Sequence, residues 1–144
     1  MSVGPTQDLL QAVIALCLAD SVLSAASPAG PSLTRADETR TVPYIVIGVT
    51  RGGKIKRYME GDSVQSFAVS FSVVAESATQ AAMLTDRIEA VFDGKSFACS
   101  VGQCIYSLLT GAAAVRQVKH LSGGQPLYET QVSSSMQYFY HPVS

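Results

Sequence analysis

Four side chains have the ligand types of a tetrahedral zinc site: Cys99, Cys104, His120 and His141. Their spacing argues against one. C-x4-C is looser than the tight pairs of zinc ribbons, and both histidines fall at the ends of expected strands. The simpler reading is buried, reduced thiols and two surface imidazoles, with a Cys99–Cys104 bridge as an open alternative. Cys17 brings the cysteine count to three, and an odd, irregular set is no disulfide framework. Asp86, Glu89 and Asp93 fall together on an expected helix and could imitate a carboxylate site, although the same spacing describes a solvated helix face. No G-x-S-x-G elbow, P-loop or G-x-G-x-x-G occurs, so acyl transfer and nucleotide binding lack their usual signatures. The expectation is a protein without cofactor, metal or catalytic residues, and not an enzyme.

The densest charge lies at Arg51, Lys54, Lys56 and Arg57. Such a cluster can neutralise phosphates. It can also keep a hairpin soluble and blunt a sheet edge. The run Tyr138–Phe139–Tyr140 offers aromatic surface, with Tyr138 and Tyr140 expected in the core and Phe139 left as a possible contact.

At 144 residues the chain fits one domain, residues 1–144, with a core large enough to fold alone. Hydrophobic residues make up 47% and charged residues 15%, against about 25% charged in an average domain. So lean a surface favours burial against other copies or partners. A net charge of −1 gives no bulk attraction to nucleic acid or anionic membrane. The apolar run 9–19 lacks the preceding positive charge of a secretion signal and is too short to span a bilayer, so it is expected as a buried helix.

The elements that must position these residues follow from periodicity. Residues 6–23 carry Leu10, Val13, Ile14 and Cys17 on one helical face, with Thr6 as the expected N-cap and Asp8 in the first turn. Residues 24–42 are rich in Ser, Ala and Pro and predict an exposed excursion. The β-branched run 43–49 predicts a strand covered on both faces. Residues 50–63 predict a protruding hairpin or a long loop. Phe67, Val69, Phe71, Val73 and Ala75 alternate with small residues as a half-buried strand. At Ser77 the period changes: Ser77 and Gln80 form a capping-box pattern, Ala81, Leu84, Ile88, Val91 and Phe92 share a helical face, and Gly94 stops it. Residues 99–109 predict a strand with Cys104, Tyr106 and Leu108 on one face. Residues 112–121 fit helix or strand, 122–126 read as a turn, and 127–141 alternate again with Tyr128, Val132, Met136, Tyr138 and Tyr140 on one face. This order predicts an α+β fold, a mostly antiparallel sheet with two principal helices packed on one face and long loops projecting at 24–42 and 50–63.

That arrangement resembles the tail-completion (tail-terminator) proteins of long-tailed bacteriophages. The likeness runs through the amphipathic helix DLLQAVIALCLAD, the proline-bearing variable segment, the proline-led strand VPYIVIGV, the strand GDSVQSFAVSFSVVAES, the Ala-rich helix ATQAAMLTDRIEAVFDGK and the strand YETQVSSSMQYFYH. It departs from the family where a Trp-Ala-like pair often ends the second strand: Val74–Ala75 stands there, and the chain has no Trp.

The resemblance implies a structural virion protein at the tail–neck junction, assembled in the host cytoplasm. It implies a homo-oligomeric ring, usually hexameric, that caps the tail tube, ends tube polymerisation and presents a docking surface to the head-completion (neck) protein. DNA would pass through the lumen without sequence recognition, and no membrane is involved. Arg51, Lys54, Lys56 and Arg57 become candidates for a DNA-channel or subunit-contact loop. The alternatives are another head–tail connector or minor tail protein of related fold, a small ligand-binding or enzymatic domain, and a secreted protein cleaved near Ser24–Ser27.

Overall fold

Pro5 opens helix α1, Pro5–Ala19, in the first helical position, where its missing N–H costs nothing. Gly4 is the N-cap, so Thr6, the expected cap, lies inside the first turn. The molecule is described by a computed structural model over residues 4–26, 44–57, 62–112, 116–118 and 127–140. Leu9, Val13 and Cys17 are the buried apolar residues of α1, while Leu18 faces outward. The helix does not run unbroken to residue 23. Asp20 takes an extended conformation and its Oδ2 accepts the Leu23 N–H (3.0 Å), starting a short second helix, α2, Ser21–Ala26. Residues 24–26 of the expected excursion are therefore helical, and the rest of it lies outside the described residues.

Among the described residues six strands make one sheet: β1 Tyr44–Arg57, β2 Ser63–Ala75, β3 Lys95–Ala98, β4 Gln103–Ala112, β5 Arg116–Val118 and β6 Leu127–Tyr140. Helix α3, Ala78–Phe92, falls between β2 and β3. The spatial order is β1-β2-β6-β4-β3, every pairing is antiparallel, and β5 also pairs with β6. Because β2 occupies one edge of β6, β5 prolongs β4 along the other. The fold is α+β, as expected.

The two-residue side-chain period of a strand sorts β2 into faces. Phe67, Val69, Phe71, Val73 and Ala75 are buried under the helices, whereas Ser66, Ala68, Ser70 and Ser72 are more open. In register with them, β6 buries Thr130, Val132, Ser134, Met136 and Tyr138. The change of period falls at Ser77. Its side chain accepts the Gln80 N–H (3.1 Å), and the Gln80 side chain accepts the Glu76 N–H (3.2 Å). This is a capping box whose return bond lands one residue early. Ala81, Leu84, Ile88 and Phe92 then pack on the sheet, with the Phe71 and Phe92 ring centroids 5.0 Å apart. Burial of Leu84, Ile88 and Phe92 contributes about 2 kcal/mol of transfer free energy each. Gly94 ends the run at φ +69°, a conformation glycine adopts without steric cost.

Three expectations are corrected, and one open alternative is decided. The strand β1 is not covered on both faces: it is a sheet edge, with Ile45 and Ile47 buried and Gly48 and Thr50 exposed. It also continues through Arg57, so of the two readings of residues 50–63, hairpin or long loop, residues 50–57 take the first as one arm of a hairpin. In β4, Cys104 is buried but Tyr106 and Leu108 are exposed, because a register shift at residue 105 reverses the alternation and turns Ser107 inward. Residues 99–102 are a turn between β3 and β4. Of the ambiguous segment 112–121, Arg116–Val118 is strand; the 122–126 turn lies outside the described residues.

Candidate functional site

The basic segment occupies the far end of the β1–β2 hairpin. Arg51 is exposed and stands opposite Phe67, while Lys54, Lys56 and Arg57 take register positions opposite Gln65, Val64 and Ser63. Register shifts separate Arg51 from Lys54 and Lys54 from Lys56. Phe67, Gln65 and Ser63 belong to the helix-covered face of β2, and Val64 to the other. The register thus places the four cations along the end of the edge strand β1. Cations and irregular register both blunt a sheet edge against unwanted pairing.

The sheet face opposite the helices has a neutral, small-residue centre. One row across it reads Gly48, Ser70, Ser133 and Gly111; the next reads Thr50, Ala68, Ser135 and Leu108. Close approach is built in at Gly48, where a Cβ would lie 2.8 Å from Ser70 Oγ. The β4 bulge adds apolar surface at one side, leaving Ile105, Tyr106 and Leu108 at 43%, 46% and 44% exposure. Ionic side chains are absent from these two rows, so any partner seated here meets hydroxyls, methyls and backbone.

Asp8 accepts hydrogen bonds from four residues, although the sequence marks it only as an acid in the first helical turn. It is fully buried. Its Oδ1 accepts the N–H of Ser100 (2.9 Å) and Val101 (3.2 Å), and its Oδ2 accepts those of Val101 (3.1 Å) and Gly102 (2.8 Å). Tyr138 Oη donates to the same Oδ2 at 2.5 Å. One carboxylate therefore ties α1 to the β3–β4 turn and to the centre of the sheet. Burial pushes the Asp8 carboxyl up, but the bonds from Tyr138 and the three amides outweigh it and hold it below the usual carboxylate range. Burial and the Asp8 charge push the Tyr138 hydroxyl well above its ordinary value. Gly102 is required by space: a Cβ there would collide with the Phe139 carbonyl and Tyr138 Oη. The only sequence signal for this anchor is an acid followed by an apolar face, which is common to ordinary helix starts.

The remaining candidates do not converge. Cys99 opens the turn and Cys104 lies just beyond it in β4, and all three cysteines are free. Burial raises each thiol, Cys17 and Cys104 to about 12 and Cys99 to about 11, so they stay protonated at neutral pH. His120 and His141 lie outside the described residues. Asp86 and Glu89 are exposed on α3, while Asp93 Oδ1 accepts the Leu109 N–H (2.9 Å) and serves the fold. No group of three metal-ligating side chains occurs among the described residues, and no helix among them is long and apolar enough to cross a membrane. Tyr138 is core, Tyr140 stacks beside it with centroids 6.1 Å apart, and Phe139 is half-buried on the opposite face.

Neither a family model nor a curated protein matches this chain. Among solved structures, it is similar to a chain of one titled "Virion of native gene transfer agent (GTA) particle", with a TM-score of 0.67 and 16% identity. The match covers 96% of this chain and 99% of that one. At this identity the two chains share a fold, and they share it end to end.

Proposed function

We propose that this chain is a structural subunit of a phage-like virion, and specifically a tail-completion protein. It forms a ring, six copies in the family it resembles, that caps the tail tube, stops further polymerisation and receives the neck. The observation that carries the reading is the end-to-end match to a virion-particle chain, with almost nothing left over on either side. The order of elements, resembling that of tail-completion proteins, supports the finer assignment. The charge-lean composition and the sheet face that none of the described helices covers suit a subunit that packs against copies of itself. A ring needs heterologous contacts whose rotation closes, with different surfaces toward tube and neck. In that setting the basic hairpin end lines the DNA path or meets the adjacent subunit.

The similar structure is of a whole particle and assigns the chain no position in it, which leaves another head–tail connector or minor tail protein as the second reading. Native mass spectrometry of the purified chain, with negative-stain images of the same sample, tests the ring. A discrete oligomer with a central hole supports it. A monomer goes on to a capping assay with tail tubes, and failure to cap them rejects tail completion. Binding on the portal side in place of the tube selects the second reading.

A further inference from the structure

We draw no further inference here: the strongest candidate, the sheet-edge stretch Tyr44–Thr50 of β1, which contains no charge, proline or register shift, carries nothing because no feature of the structure shows which strand would cover it, and on the opposite side of the sheet the Leu109 N–H is already taken by Asp93.

Discussion

Tyr138 and Asp8, 130 residues apart in the chain, are joined by a buried 2.5 Å hydrogen bond. The bond closes the fold between its first helix and its central strand. Replacing Asp8 by Ala strands three backbone amides and a phenol away from water, and should cost about 3 kcal/mol or more. Tyr138→Phe removes one donor and leaves the amides in place, so about 1.5 kcal/mol is expected. Urea unfolding of both variants measures the difference. Equal midpoints for wild type and Asp8→Ala would show that the anchor contributes nothing.

The same carboxylate predicts the response to acid. Its folded pKa lies below the unfolded value of about 3.9, so the folded state binds fewer protons there. The resulting stability is fully present above the unfolded pKa and disappears as the pH falls through the folded one. Asp20, held low chiefly by its hydrogen bond from Arg87, acts in the same direction. Thermal melts between neutral pH and pH 3 should show a smaller acid-induced loss in Asp8→Asn than in wild type. Parallel curves would assign the acid sensitivity elsewhere.

The strand-to-helix switch gives a local test. Ser77→Ala removes the acceptor of the Gln80 N–H and should destabilise by about 1 kcal/mol. Gly94→Ala meets open space but must hold φ at +69°, which costs about 1 kcal/mol of backbone strain. The sites lie at opposite ends of α3, so the double variant should show the sum of the two effects. Marked non-additivity in denaturant titration would indicate that the helix frays as one unit.

Thiol chemistry should be slow. With Cys17 and Cys104 buried and Cys99 half-covered, a disulfide-exchange reagent at pH 7.5 should react sluggishly with native protein and rapidly with all three thiols after denaturation. Rapid native labelling of Cys99 would mean that the β3–β4 turn opens readily.

On the proposed function, changing Arg51, Lys54, Lys56 and Arg57 together to Ala should leave the thermal midpoint nearly unchanged, because edge cations contribute little to folding. DNA delivery by particles carrying the variant should fall. Undiminished delivery would remove the cations from the DNA path.

The parts of the fold legible in the sequence are those where one period dominates. Phe67 to Val73 and Val132 to Tyr138 alternate between buried and more open without interruption, and Ser77 with Gln80 marks a helix start by local bonding alone. The parts that are not legible depend on partners far away in the chain. The irregularity at residue 105 is set by the register of β4 on β6, which reverses the sides of Tyr106 and Leu108. The break at Asp20 is held in part by Arg87 Nε, 2.7 Å from Oδ1, on a helix far along the chain. Asp8 looks like an ordinary first-turn acid until the turn at 100–102 arrives to meet it. The basic segment is visible as charge, but the register shifts that interrupt β1 within it depend on its pairing with β2.

The central position of β6 also sets the order in which the molecule can be completed. Strands β1 and β2 form one hairpin, β3 and β4 another, and neither pairs with the other. During synthesis both must wait for β6, which follows every strand it joins. Until then the inner edges of β2 and β4 lack their native partner, with Phe67, Phe71 and Val73 short of their final neighbours. Joining them requires long loop closures, which makes this a slow-folding topology for its size. The interval before β6 docks is therefore when the chain is most exposed to pairing with the wrong strand.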